Sequence, residues 1–547
     1  MGYPTKVQLI QRQDSQQWYI NFPAALAQAM EFTKGETVEW TVQDKQHLLL
    51  RRPEAAAGKK KTLSLLDHFL ALWEQDMDVF AQRRTWHRSR RLAVSQLACL
   101  GRHTGTGRLA TAGRLDVDWS ADYRFFSQDR WQHQRLFDPV LRGVLALSGP
   151  ARPLVVAMDD THLPKTGAKI PGVGYRRDPL SPPFHTNLIR AQRFLQMSAL
   201  AGGEAFPGPA RALPIRFDHV PPVTKPKSSA SPEEWKAYRQ QCRTENLSTA
   251  GVAAILQTRQ RLDQELHGHD RLLITNVDGS YCNRTVLKGL PDRTVLIGRI
   301  RKDAKLFHLP TPQDQQPRGT QRLYGQPAPT PEALRQDETT PWQEVRAFAA
   351  GKLHTFGVKT VAPILWAKAG SQRPLRLVVI APVGYRLRAG ARLLYRQPAF
   401  LICTEANMPL EQVVQYYLWR WDIEVNHRDE KQFIGVGEAQ VRSPLSVGRD
   451  PAFAVACYST LLLAGLHAYG PPGTRPHVPV PKWRAVTTKH RITTQDLLHQ
   501  LRRDLWGQAV ERLEEDSGHF VSESSADTKC PEFHPSLAAA VFYASTG

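Results

Sequence analysis

Apolar and polar positions divide the chain into blocks of different period. "KVQLIQR" (6–12) alternates, which is the two-residue period of a half-buried strand. "WYINFPAAL" (18–26) leads into a short helix, and "FTKGETVEWTVQDKQHLLLRR" (32–52) reads as two strands around a polar turn at Gln43–Lys45. "PEAAAGKKK" (53–61) is a flexible basic linker. From Ser64 the period becomes helical: Leu66, Phe69, Leu70, Trp73, Met77 and Phe80 recur on one face, and Ser64 with Asp67 can form a capping box. Helical patterning continues to about Leu147.

At Pro153 the texture changes. "PLVVAMDD" (153–160) and "RLLITNVDG" (271–279) are short continuous apolar runs ending in acids, the pattern of buried strands, and "TVLIGRI" (294–300) is a third. "RFLQMSAL" and "LPIRFDHV" are further strands. A long helix is predicted from Pro232 to Leu266 with Ser231 as its N-cap. Residues 301–397 are first Pro-rich and then β-rich ("VAPILWAK", "LRLVVIAPV", "RLLYRQPAFLICT"), as an insertion between core elements would be. Met408-Pro409 as a start and Gly435 as a stop predict a helix over 410–434. The remainder is helical around a Pro-rich break at 471–481.

With 547 residues the chain exceeds what one core normally holds. The blocks predict a small β-rich module at 1–55, a helical domain with a basic edge at 56–150 and the first part of an α/β core at 151–300. A β-rich insertion at 301–403, a further core helix at 404–440 and a helical C-terminal region at 441–547 follow. The net charge of +21, from 72 Lys and Arg against 51 Asp and Glu, is an electrostatic footprint for a polyanion, with DNA or RNA first. "AQRRTWHRSRRLAV" concentrates six bases between Gln82 and Arg91, either a solvated face or a phosphate grip. The six cysteines are scattered without a C-x-x-C pair, which argues against a disulfide framework or zinc ribbon and for a reducing compartment. "MGYPTKVQLIQRQD" has no apolar signal region. The apolar run Ala452–Tyr469 has the length of a marginal membrane span, but its Ser, Thr, His and Tyr favour a buried helix and no membrane association. "LPKTG" at 163–167 matches a cell-wall sorting signal by letters only.

The chemistry concentrates in "YYLWRWDIEVNHRDEK" (416–431). At ~100° per residue, Tyr417, Arg420, Glu424 and Lys431 fall within about 60° of one another, and Trp421 and Arg428 widen that arc to about 100°. Leu418, Ile423, Val425 and Ile434 flank the stripe. A purely solvated face would not carry Tyr and Trp among its charges, although an i,i+4 pair of Glu424 with Arg428 is a structural alternative. Asp159 and Asp160 close one predicted strand and Asp278 closes the next. Acids just beyond strand ends, joined by one from a helix, are how an α/β sheet builds a divalent-metal site. Three carboxylates can hold two Mg²⁺ ions about 4 Å apart.

The spacing Y-x2-R-x3-E-x6-K, read as Tyr417, Arg420, Glu424 and Lys431, resembles the YREK signature of a group of bacterial insertion-sequence DDE transposases. "VVAMDDT", "LLITNVDGSY", "IGRIRKDAKLF" and "RRDPLSPPFHTNLIRAQRFLQ" resemble other segments of that group, over about 64 to 510. The resemblance implies an RNase H-like catalytic core with a β-rich insertion, flanked by helical domains. It also implies metal-dependent strand cleavage and transfer on double-stranded DNA, at terminal inverted repeats and a target. Asp159, Asp278 and Glu424 would bind two Mg²⁺ ions, with Mn²⁺ as a substitute, and Tyr417, Arg420, Trp421, Arg428 and Lys431 would contact DNA. A homodimer in the active complex and a cytoplasmic, nucleoid-associated location go with it. The doublet Asp159-Asp160 leaves two candidates for the first catalytic acid. The N-terminal module resembles AbrB-like swapped-hairpin DNA-binding modules and is not part of the usual transposase pattern. A cleavage-inactive DNA-binding descendant and a hydrolytic nuclease on the same core are the alternatives.

Overall fold

The runs of Val, Ile and Leu between 153 and 403 assemble into one mixed sheet. The computed structural model describes residues 6–12, 15–20, 39–42, 48–51, 63–178, 181–182, 184–315, 320–369, 373–388, 390–474, 491–516, 541 and 544. The chain divides into two units, Met1–Leu63 and Ser64–Gly547.

In the first unit, β1 (Val7–Arg12) and β2 (Ser15–Ile20) form one antiparallel hairpin, and β3 (Glu39–Val42) and β4 (Leu48–Arg51) form another. Trp18–Ile20 thus end a strand. The short helix expected beyond them and the turn at Gln43–Lys45 lie outside the described residues.

The second unit opens with the helix Leu65–Glu74, whose capping box is formed as its sequence predicts: Ser64 accepts from the Asp67 N–H and Asp67 accepts from the Ser64 N–H. The core strands are β5 (Leu154–Pro164), β6 (Gly174–Arg177), β7 (Leu188–Gly202), β8 (Ala210–His219), β9 (Leu273–Val277) and β10 (Thr294–Arg299). β5, β7 and β8 are antiparallel neighbours, then β9 runs parallel to β5 and β10 parallel to β9. The resulting order β8-β7-β5-β9-β10 is the RNase H-like core implied by the sequence. Edge strand β6 pairs with β7.

The segment after β10 adds β11 (Leu306–His308), β12 (Pro327–Ala328), β13 (Gln343–Ala349), β14 (Lys352–Trp366), β15 (Leu375–Ile380) and β18 (Ala399–Cys403), with β16 (Gly384–Tyr385) and β17 (Leu394–Tyr395) as a separate small ladder. β18 is antiparallel to both β10 and β15, so this segment extends the core sheet to twelve strands.

Strand alternation separates two apolar clusters. Val156 and Met158 belong to one, with residues from the helices Leu65–Glu74, Arg83–Ala98, Asp138–Ser148, Leu247–Gln264 and Ser446–Tyr469. Val155 and Ala157 belong to the other, with Val413, Val414, Trp419 and Ile423. Ser446–Tyr469 is the one described helix long and apolar enough to cross a membrane, and 83% of its apolar window is buried inside the protein. That burial matches the core-helix reading of its sequence.

Two long helices expected from the pattern are each broken. Pro232–Thr244 and Leu247–Gln264 are separate because Asn246 caps the second, its side chain accepting from the N–H groups of Ser248 and Thr249. Expected helix 410–434 is Leu410–Trp419 followed by Trp421–Gln432. At the junction the Arg420 N–H bonds back three residues to Tyr417 O (3.1 Å), a tighter turn than an α-helix makes.

Candidate active site

The parallel register of β5 and β9 pairs Met158 with Val277. Asp159 and Asp278 are the next residue on each strand, on neighbouring strands that lie about 4.8 Å apart. Asp278 closes its strand in a tight turn, accepting from Ser280 N (2.8 Å) and Ser280 Oγ (3.2 Å). Asp159 follows Val155 and Ala157 on the face covered by the two 410–432 helices, which is where Glu424 is carried.

Those helices are fixed by polar as well as apolar contacts. Buried Gln415 accepts from Phe348 N (2.7 Å) and donates to Phe348 O (3.2 Å), clamping the first helix to β13. Trp419 donates to Gly208 O (2.8 Å), with its ring against Gly202 at the end of β7. On the far side of the second helix, Asn426 donates to Ser198 Oγ (3.1 Å) and Asp429 accepts from Thr494 Oγ1 (2.7 Å). His427 and Glu430 are buried there too. Burial pushes Glu430 up to about 8 and His427 down to about 3, so both are neutral near pH 7. This internal polar face explains why the helix shows no simple amphipathic pattern.

Between these supports stands one charged junction. Arg420 Nη1 donates to Asp159 Oδ2 at 3.0 Å and lies 3.6 Å from Glu424 Oε1. The Asp159 carboxyl is pushed up to about 8, by burial first and then by the charge of Glu424, with Asp278 adding to the rise and Arg420 opposing it. Burial works against the Arg420 charge, yet Tyr417, Asp159, Glu424 and Asp278 together hold its protonation constant above the ordinary value. The structure therefore brings Asp159, Asp278, Glu424, Arg420 and Tyr417 together. Arg299, at the end of β10, also acts on Tyr417.

Asp160 points to the opposite face. It is paired with Arg193 Nε (3.2 Å), accepts from the Tyr281 hydroxyl (3.2 Å) and lies 3.8 Å from His162 Nε2. Lys431 is exposed, within the fields of Glu424 and Glu430, and partial desolvation lowers its ammonium. The Trp421 ring is 65% exposed. Arg428 does not pair with Glu424: its Nε and Nη2 donate to Asp429 at 3.0 and 2.8 Å, and Arg420 is the i,i+4 partner of Glu424 instead. Of the basic run at 82–91, Arg88 and Arg91 turn inward onto Asp122 (3.2 and 2.8 Å).

The residues not singled out by sequence are Arg193, His162, Tyr281, Arg299 and Lys165. Lys165, inside the "LPKTG" run, donates to Gly437 O (2.7 Å) and Ala439 O (2.8 Å) and ties the chain after the Glu424 helix to the end of β5. Only the alternation of Asp160 with His162 could have pointed to any of them.

Residues 76–373, more than half of the chain, match the family model described as DDE superfamily endonuclease. The chain belongs to this family. The match takes in Asp159 and Asp278 and stops short of Glu424. No curated protein matches the chain. DDE superfamily endonucleases act on DNA and typically use divalent metal ions. Among the described residues of this one, no three His, Cys, Asp or Glu side chains are grouped to hold a metal ion as they stand. The donor chemistry nonetheless suits a hard divalent cation: Asp159 is half-buried within the fields of two other carboxylates, and their repulsion is what such an ion relieves. The Arg420 guanidinium already supplies positive charge between Asp159 and Glu424.

Proposed function

We propose that this DDE superfamily endonuclease is a transposase that cuts and joins DNA strands at the ends of an insertion sequence. The observation that carries the reading is the meeting of Asp159, midway along β5, Asp278, just past the end of β9, and Glu424 on a helix, around Arg420. The complete Y-x2-R-x3-E-x6-K spacing on that helix supports it.

In this reading Asp159, Asp278 and Glu424 would hold two Mg²⁺ ions, or Mn²⁺ in their place. When bound, the ions supply activation of the attacking oxygen and neutralisation of charge at the scissile phosphate. Asp159 rather than Asp160 is the first acid, because it shares a face with Glu424 while Asp160 is engaged by Arg193 and Tyr281. Arg420 neutralises Asp159 and Glu424 in the free protein and passes to a DNA phosphate as the substrate arrives, a planar fork suited to bidentate contact. Tyr417 orients that guanidinium, with the cation 5.8 Å from its ring centre. Lys431 supplies a point charge to the flanking backbone. The exposed Trp421 ring offers a stacking surface for an unpaired base. Arg428 joins the DNA grip only by leaving Asp429. The basic N-terminal unit adds phosphate contacts, and two protomers hold the two ends.

The test is incubation with Mg²⁺ of a duplex carrying the DNA that flanks this coding sequence, together with a target plasmid. Cut ends covalently joined to the plasmid are the expected product. Cutting without joined product would leave a hydrolytic nuclease, and no cutting at all would leave a DNA-binding protein.

A further inference from the structure

On the face of β5 opposite Asp159, the sheet gathers a second charged group. His162 is in register with Arg193, and Arg176 of β6 is in register with Ile189, four residues before Arg193 on β7. Directly opposed residues of antiparallel strands share a face, as do residues an even number apart. Asp160, His162, Arg193 and Arg176 therefore line one face across three adjacent strands. Arg193 Nε lies 3.2 Å from Asp160 Oδ2 and 3.3 Å from His162 Nε2.

We propose that Arg176 and Arg193, oriented by Asp160 and His162, form a second phosphate-binding subsite for the DNA strand beside the Asp159 centre. Two guanidiniums face a single carboxylate, leaving an uncompensated positive charge in a half-buried position. Arg193 occupies that carboxylate, and the Arg176 Nε is buried without a hydrogen-bond partner. Burial and then the neighbouring Arg193 both press against the Arg176 charge, a cost that a bound anion reverses. Planar five-donor forks match phosphate oxygens. Asp160 follows Asp159 directly, where β9 ends beside Met158 and β5 runs on past it, so the cluster borders the same rim as the proposed cleavage centre, and a DNA strand crossing that rim presents successive phosphates.

The subsite rests on the DNA-cleavage reading, and the experiment separates the two. Binding of a random-sequence duplex by the full chain is measured by anisotropy between about 50 and 200 mM salt with chelator present, since each neutralised phosphate contributes ~0.9 to the slope of log affinity against log salt. Arg176→Gln, on an edge strand and only half-buried, is expected to reduce that slope by about 0.9. The double variant Asp160→Asn, Arg193→Gln, which leaves no unpaired buried carboxylate, is expected to reduce it as well. Arg177→Gln, on the opposite face of β6, serves as the comparison and should change it by less than half as much. An unchanged slope in Arg176→Gln, or an equal loss in Arg177→Gln, overturns the subsite while leaving the cleavage reading intact. No Mg²⁺-dependent cutting by the wild-type chain, beside a flattened slope in Arg176→Gln, overturns the cleavage reading and keeps the subsite as a DNA contact. Failure of the wild-type chain to bind duplex overturns both.

Discussion

The Arg420 guanidinium is hydrogen-bonded to Asp159 at 3.0 Å across 261 positions of sequence. The same nitrogen lies 3.6 Å from Glu424, so one cation neutralises two of the three clustered acids. It competes for the carboxylates a divalent ion needs. Arg420→Gln should therefore bind Mn²⁺ more tightly than wild type in the absence of DNA, by about tenfold if the removed competition is worth ~1.4 kcal/mol. Calorimetric titration of both proteins checks this. Equal affinities would mean that Arg420 does not guard the acids.

The Trp419 side chain, 8% exposed, is the wedge that seats the acid-bearing helices on the ends of β7 and β8. Trp419→Ala should cost about 3–5 kcal/mol by urea unfolding, as aromatic-to-alanine changes in cores do. Trp419→Phe keeps most of the ring and loses the bond to Gly208, which should cost only about 1 kcal/mol. Cutting activity should fall with stability in the alanine variant and survive in the phenylalanine one.

Glu430 gives a stability effect with a definite sign in pH. Its folded-state value is raised to about 8 by burial, so the folded protein holds a proton that the unfolded chain has released. The stability this proton confers is complete below the ordinary carboxylate range and is lost as pH rises through about 8. Glu430→Gln, a permanently neutral isostere, should flatten the decline in melting temperature between pH 6 and 9, measured with chelator present. A variant as steep as wild type would locate the alkaline loss elsewhere.

Much of this site was legible because Asp159 and Asp278 each follow a short apolar run and four residues on one helix keep a fixed spacing. Only Asp278 stands past a strand end, however, since β5 continues beyond the expected stop at Asp160 to Pro164, paired throughout with β7. The choice between Asp159 and Asp160 was not legible, since consecutive residues on a strand face opposite ways and only the packing of Ile423 and Val413 over Val155 and Ala157 distinguishes the faces. The Arg176 and Arg193 cluster depends on antiparallel register between three strands, which local pattern does not encode. The break at Asn246 carries a local signal, an Asn two residues before Ser248 and three before Thr249; the break at Arg420 carries none.

The N-terminal unit bears Lys6, Arg12, Lys34, Lys45, Arg51 and Arg52, with Lys59 to Lys61 in the linker. Deleting residues 1–60 should weaken duplex binding and reduce the salt slope by ~0.9 for every phosphate that the unit neutralises. An unchanged slope together with loss of self-association would make the unit a dimerisation arm instead.

Asp159, Asp278 and Glu424 are expected to form the cutting centre, with Asp160 outside it. Mg²⁺-dependent cutting of a duplex carrying the flanking DNA by Asp159→Asn, Asp160→Asn, Asp278→Asn and Glu424→Gln, with duplex binding measured in parallel, tests this. A metal centre supplies several kcal/mol of charge stabilisation, and each ~1.4 kcal/mol is tenfold in rate. Losses of about a thousandfold are expected for Asp159→Asn, Asp278→Asn and Glu424→Gln with binding retained, and only a partial loss for Asp160→Asn. Wild-type cutting rates in Glu424→Gln or Asp278→Asn, or a dead Asp160→Asn beside an active Asp159→Asn, would contradict this assignment.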